Sequence, residues 1–282
     1  MTIKGIIAST KAYNLHSHTQ FCDGRAEMAR FADAAVSAGF KHYGFTPHSP
    51  IPFKSPCNMD AARVDDYINE FHRLKEIYFG KISLYLSLEI DYLGDDWGAA
   101  HPYFAALPLD YRLSSIHFIP TPDGSEMVDV DGRPESFCEK MHKYFHNDIR
   151  YVVDKFYDQT LKMIAAGGFD IIGHFDKIGF NASHFKPGIE EESWYGKHID
   201  NVIEALAETD IVAEVNTKAW EAPVGASEAQ VAAYKPRLFP SPSTIKKLQE
   251  ARIPLVVNSD AHYPERINFG RDAAFRIIES ES

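Results

Sequence analysis

Cysteine is scarce in this 282-residue chain. The three residues, Cys22, Cys57 and Cys138, form no C-x-x-C pair, which leaves no basis for a disulfide framework or a thiolate zinc site. Positive charge is also in deficit, since 29 Lys and Arg against 40 Asp and Glu give a formal net charge of −11. Without a basic run, such a chain is a poor candidate for binding nucleic acid or an anionic membrane. No apolar stretch has the length of a membrane span. The apolar stretch at residues 5–8 is too short for a signal-peptide core, so the expected location is the cytoplasm. Motifs are missing as well: there is no G-x-x-x-x-G-K-[ST], G-x-G-x-x-G, G-x-S-x-G or H-E-x-x-H. Phosphate-loop, dinucleotide and serine-hydrolase readings therefore have nothing to stand on. Hydrolysis by metal-activated water remains.

Histidine is what the chain has in quantity, with 13 residues, and it is the commonest metal ligand and a frequent acid or base. Their placement follows an architectural repeat. β-type runs at residues 12–18, 42–46, 82–92, 111–118, 169–175, 211–217 and 253–259 alternate with helical patterns. The helical stretches are 26–38, 61–79, 134–166, 197–208, 243–251 and 271–280. Several strand runs are continuously apolar, as expected of parallel strands covered on both faces. This alternation predicts one α/β domain over residues 1–282, and a closed TIM-like barrel fits it better than an open sheet.

Six histidines fall at or just beyond a strand end: His16, His18, His48, His117, His174 and His262. Glu89 and Asp260 lie at strand ends too, and Asp23 sits in the loop after the first strand. In a parallel barrel these ends share one face, so nine donors converge on one cavity. In His16-Ser-His18 the two imidazoles are two residues apart on a strand and point to the same side, where they can grip one cation. Asp260-Ala-His262 repeats the spacing at the other end of the chain. A nitrogen and oxygen donor set suits zinc, manganese or iron, and nine ligands exceed what one ion uses, implying two or three. A single strand-end histidine is more often a hydrogen-bonding residue than a ligand, but six on one face reverse that expectation. His42, His72, His101, His142, His146, His184 and His198 keep ordinary polar roles. Cys22, beside Asp23, has no base spaced for it and is read as packing.

These residues resemble a known family. His16-Ser-His18, Thr46-Pro-His48, Glu89-Ile-Asp91, Ser115-Ile-His117, Gly173-His-Phe-Asp176 and Ser259-Asp-Ala-His262 look like the PHP (polymerase and histidinol phosphatase) superfamily. Segment 65–78, Ser115-Ile-His-Phe-Ile119 and Glu214-Val-Asn-Thr217 resemble its histidinol-phosphatase branch, and the likeness runs from about Asn14 to Phe275. The resemblance implies a distorted (β/α)7 barrel with a trinuclear metal site. It would place one metal on His16, His18, Glu89 and Asp260, a second on Glu89, His117 and His174, and a third on Asp23, His48 and His262. Glu89 would bridge the first two.

The activity so implied is metal-dependent phosphomonoester hydrolysis, with L-histidinol phosphate of histidine biosynthesis as the small phosphorylated substrate. Glu89, Asp260 and His262 form the expected catalytic set, and either an Asp or a His near the third metal would protonate the leaving alkoxide. The branch often follows its Asn-Thr with an Arg-bearing segment that contacts phosphate. Here Lys218-Ala-Trp-Glu221 follows instead. Lys177, Lys218 and Arg237 are candidate phosphate contacts and equally candidate surface cations, while Asn216 is a candidate orienting group. The alternatives are a PHP enzyme for another phosphoester or nucleotide, an amidohydrolase-like metallohydrolase, and a non-catalytic metal-bound scaffold. An amidohydrolase would normally bridge its metals with a modified strand Lys, which has no counterpart here. Three divalent ions would offset six of the eleven net negative charges within one cleft, so an acidic chain can still attract a phosphate dianion.

Overall fold

A computed structural model of the chain describes residues 2–222 and 224–280. Its strands are short: β1 (Tyr13–Asn14), β2 (His42–Phe45), β3 (Ser83–Leu86), β4 (Glu89–Asp91), β5 (Leu113–Ser115), β6 (Phe118–Pro120), β7 (Met127–Asp129), β8 (Ile171–Ile172), β9 (Val212–Asn216) and β10 (Leu255–Asn258). The helices are α1 (Ile3–Ser9), α2 (Met28–Ser37), α3 (Val64–Ile77), α4 (Pro102–Ala105), α5 (Pro134–Tyr144), α6 (Ile149–Ala166), α7 (Ile178–Phe185), α8 (Ser193–Ala207), α9 (Glu228–Ala233), α10 (Pro242–Glu250) and α11 (Arg271–Ser280). β1-β2-β3 form one parallel sheet and β10-β9-β8-β5-β4 another. No helix among the described residues is long and apolar enough to cross a membrane.

Each expected strand position carries a strand, but three expectations need correction. The run at 82–92 divides at Ser87 and Leu88 because it serves both sheets. Ser87 N–H donates to Phe45 O and Glu89 N–H to Pro47 O, while Glu89 and Asp91 pair with β5. The run at 111–118 stops at Ser115, and its continuation turns into an antiparallel β6–β7 hairpin. The helix expected over 134–166 breaks where His146 and Asn147 take positive φ (51° and 60°), after which Asp148 caps α6 through Tyr151 N–H.

The ladder does not run unbroken around a closed barrel. The two sheets meet at seams of isolated bridges, His48↔Glu89 on one side and Ser17↔Ala261 on the other. Side chains carry the second seam. Asn14 accepts from Ser259 N–H (3.1 Å) and donates to Ser259 Oγ (2.7 Å), and Asn258 Oδ1 accepts from Leu15 N–H (2.8 Å). Arg271 of α11 is 1% exposed beside this seam. Its guanidinium donates to Val257 O and Lys11 O and lies 5.1–5.5 Å from the rings of Tyr13, Phe40 and Phe275.

Period-two alternation explains where polar groups end up. Leu113, Ile171, Val212 and Val256 meet Leu15, Tyr13 and Tyr111 in an apolar floor that Ile3 and Ile6 of α1 cover. Two residues further along, Ser115 and Glu214 continue the same face as buried polar groups. The outward faces pack against the helices through a cluster that includes Phe31, Phe45, Ile90, Phe137, Phe156 and Ile172.

Candidate metal centre

Above the apolar floor stands a buried group of imidazoles around one carboxylate. Glu89 Oε1 lies 2.9 Å from His174 Nε2 and 3.4 Å from His117 Nε2. Its Oε2 lies 3.1 Å from His48 Nδ1, 3.3 Å from His16 Nε2 and 3.4 Å from His18 Nε2. Ser115 Oγ donates to Oε1 (2.8 Å) and fixes the carboxylate. Gly173 permits this arrangement, because a Cβ there would collide with Ser115 Oγ. Asp260 approaches from the β10 end in a left-handed backbone conformation (φ 48°). Its Oδ1 lies 3.0 Å from His18 Nε2, and its Oδ2 accepts from Asn216 (3.2 Å). Asp23 Oδ1 is 3.3 Å from His262 Nε2 and 3.8 Å from His48 Nε2.

The donor set fits cations. His16 and His18 point their Nε2 atoms at each other across 3.3 Å. His16 Nδ1–H donates to Glu214 Oε1 (2.7 Å) and His117 Nδ1–H to Asp91 Oδ1 (2.7 Å). Such bonds fix the ring orientation and turn Nε2 toward the group, as in carboxylate–histidine–metal arrangements, while the facing carboxylates overcome burial and raise the pKa of both rings, that of His117 to about 9. Glu89 Oε2, Asp23 Oδ1 and His117 Nε2 are buried with no hydrogen-bond partner. Buried polar atoms are normally satisfied, and cations held among these donors would satisfy all three.

Eight of the nine expected donors fall in three overlapping groups, the donor atoms of each within 4.8 Å of one another: His16, His18 and Asp260; His18, Asp23, His48 and His262; and His48, Glu89 and His117. The third group has His48 where the expected set has His174, which sits against Glu89 instead. Charge reinforces the grouping. Burial disfavours ionised Glu89, but His16, His117 and His48 overcome it and hold the carboxyl well below its usual range. Burial likewise opposes ionised Asp260, and Lys218 and His16 hold its pKa far down. Burial lowers His18, aided by His262 and His48.

Residues 14–218 match the model of the PHP domain. The chain belongs to the PHP-domain family. It is 26% identical over 257 residues to a Deinococcus radiodurans protein named "Probable histidinol-phosphatase", covering 90% of this chain and 87% of that one. It is 25% identical over 285 residues to Bacillus subtilis histidinol-phosphatase, covering 92% and 96%. Its fold is similar to that of the Lactococcus lactis histidinol phosphate phosphatase, solved with zinc, L-histidinol and phosphate. That match has a TM-score of 0.67 at 15% identity and covers 96% of this chain and 94% of that one.

A cavity of about 860 Å³ opens over this donor cluster of the PHP domain, with His48, His117, Asp260 and His262 in its floor and Phe53, Phe118, Met127 and Phe180 in its walls. Lys177 and Lys218 line it. Lys218 Nζ sits 3.2 Å from Asp260 Oδ1 and 3.4 Å from His262 Nε2. Asn216 lies beneath, bonded to Glu214 and Asp260. Arg237 does not line the cavity, because its guanidinium makes a bidentate pair with Glu190 (2.6 and 2.8 Å). Sequence reasoning passed over Glu214 and Asp91 as partners of His16 and His117. The signal was there, since Glu214-Val-Asn216 and Glu89-Ile-Asp91 each place two polar groups on one strand face.

Asp176, after His174, is a structural carboxylate of the PHP domain with a measurable pH signature. Its Oδ2 accepts from Ser241 N–H (3.0 Å), and its Oδ1 is buried without a partner. Burial, opposed by Arg237 and reinforced by Glu190, pushes its pKa up to about 7. The folded state therefore holds a proton that the unfolded chain, titrating near 4, releases. That stability is fully present below about pH 4 and is lost as pH rises through about 7. Asp176→Asn is expected to gain about 2–3 kcal/mol on the wild type between pH 5 and pH 8. Urea denaturation of both proteins across that range checks it.

Proposed function

We propose that this PHP domain is a metal-dependent phosphomonoesterase that hydrolyses L-histidinol phosphate to L-histidinol and inorganic phosphate. One observation carries the reading. The unpartnered buried atoms of Glu89, Asp23 and His117 converge beneath a cavity that Lys177 and Lys218 also line. The names of the curated relatives and the ligands of the Lactococcus lactis structure support the substrate. In this reading His16, His18, Asp23, His48, Glu89, His117, His174, Asp260 and His262 hold two or three divalent ions of zinc, manganese or iron. Zinc in the Lactococcus lactis structure favours the first. The two sheets and their seams form a distorted (β/α)7 barrel, the 282 residues act as one domain, and the reaction belongs to cytoplasmic histidine biosynthesis.

Bound at these donors, divalent ions would supply Lewis acidity, lowering the pKa of water and offsetting the charge of the phosphate. The chain's own groups do the rest. Lys177 and Lys218 present ammonium donors to the phosphoryl oxygens, and charge-assisted bonds of this kind are strong in a partly buried cleft. Asn216 and Lys218 orient Asp260, Ser115 orients Glu89, and Glu214 and Asp91 fix the two histidine rings. Asp260, held ionised beside Lys218 and His16, stays a ligand, so the proton for the leaving alkoxide comes from the His262 side of the cavity, which Asp23 and Lys218 also line. The cavity's protein walls suit a small organic phosphate rather than a nucleic acid.

The test is phosphate release by purified, metal-replete protein from L-histidinol phosphate, set beside other small phosphomonoesters and nucleotides. L-histidinol phosphate is expected to be the preferred substrate, with turnover abolished by His16→Ala or Asp260→Asn. A protein that releases phosphate from no phosphomonoester overturns the reading, and a preference for another ester overturns the substrate. Elemental analysis showing less than about one equivalent of transition metal would overturn the metal assignment.

A further inference from the structure

The chemistry above uses Lys177 but not the carboxylate paired with it in the cavity wall. Lys177 Nζ donates to Asp131 Oδ2 at 2.5 Å, with the two side chains only 13% and 28% exposed. Both residues are anchored to the segments that carry the inner histidines. Lys177 follows His174 by three residues. Val130 N–H donates to His117 O (2.9 Å), which sets Asp131 beside the end of β5. Asn181 Nδ2 then clamps the backbone on both sides of Asp131 through Val130 O (3.1 Å) and Gly132 O (3.4 Å). The position of this carboxylate is therefore fixed by the same frame that positions His117.

Its neighbour Asp129 is fully engaged, accepting from Asp131 N–H (2.8 Å) on Oδ1 and from Lys140 (3.0 Å) on Oδ2. Asp131 differs, because Oδ1 carries no hydrogen bond among the described residues and the side chain lines the cavity. An anion and a cation held side by side complement a ligand that carries both charges close together. Histidinol phosphate is such a ligand, with an ammonium on the second carbon from the ester oxygen.

Resting on the phosphatase reading, we propose that Lys177 and Asp131 form a zwitterion-recognition pair that selects phosphomonoesters bearing an amine two carbons from the ester oxygen. Lys177 turns to the phosphoryl oxygens, and Asp131 takes the substrate's ammonium in its place. The internal ion pair is exchanged for two intermolecular ones, so neither charge is left uncompensated in the cleft. An ester without the amine draws Lys177 away and leaves the Asp131 carboxylate unpaired, which penalises it. The substrate class is thus a 2-aminoalkyl phosphate.

The experiment compares matched esters on the metal-replete protein: L-histidinol phosphate against 3-(imidazol-4-yl)propyl phosphate, and phosphoethanolamine against ethyl phosphate. The wild type is expected to favour the amine-bearing member of each pair by at least about tenfold in kcat/KM, mainly through KM. Asp131→Asn is expected to bring that ratio close to one. Calorimetry gives a second readout, in which phosphate-saturated D131N binds L-histidinol at least about tenfold more weakly than the wild type. A wild-type ratio near one, or equal losses for both members of a pair in D131N, overturns the proposal while leaving the phosphatase intact. If D131N does not fold, D131S takes its place, and the wild-type comparison still decides. No turnover of any ester instead defeats the phosphatase reading, and this inference with it.

Discussion

Replacing Glu89 with Gln is expected to remove at least one equivalent of bound metal and to lower phosphomonoester kcat/KM by about 10³-fold or more. The geometry makes Glu89 singular. Its two oxygens face five imidazoles, those of His16, His18, His48, His117 and His174, within 3.4 Å. Gln keeps the shape but replaces one anionic oxygen with an amide nitrogen, which cannot ligate a cation and turns a donor toward imidazole lone pairs. Ser115 can still bond the remaining oxygen, so the backbone should hold. Elemental analysis with phosphate-release kinetics checks the result. Full metal content in a folded variant would show that the carboxylate is not a ligand.

Arg271→Ala is expected to cost about 3–5 kcal/mol of stability, seen as a fall in Tm of about 6–15 °C. The guanidinium is 1% exposed, and burial lowers its pKa to about 10 against the opposing pull of Tyr13 and Asp272. Truncation to Ala leaves Val257 O and Lys11 O without this donor and opens a void between three aromatic rings. Arg271→Met, which refills the volume without a charge, is expected to lose less than the Ala variant. Arg271→Lys is expected to recover only part of the loss, since one ammonium cannot copy a fork that reaches two segments. Thermal melts of the three variants decide the order, and an unchanged Tm in Arg271→Ala would show that the seam does not depend on this residue.

The strand positions were legible because parallel strands covered on both faces must be apolar, as Phe169-Asp-Ile-Ile-Gly173 is. The donor set was legible because β-type runs ended on His, Glu or Asp. The hairpin of β6 and β7 was not, since Met127-Val-Asp-Val-Asp131 alternates too briefly after a turn rich in Pro, Asp and Gly. The break between α5 and α6 rests on two residues in left-handed conformation, and only the polar run His146-Asn-Asp148 announced it. Arg237 shows a different limit. Its partner Glu190 is 47 residues away, and no local pattern could show that this cation was already engaged. The seams escaped notice for the same reason, being side-chain bonds between the two ends of the chain.

That end-to-end seam also orders events in time. His16 and His18 are made some 240 residues before Asp260 and His262. Contacts of such large sequence separation form late and slowly, because the intervening loop must be closed first. A nascent or truncated chain lacking its last strand still carries the early histidines but has nothing to pair across from Asn14 or to complete the groups around His18. Ion binding at these donors would therefore report a chain made through its last strand. Because the ions would bind the native state far more tightly than any partial one, they would draw the folding equilibrium toward the complete molecule by mass action.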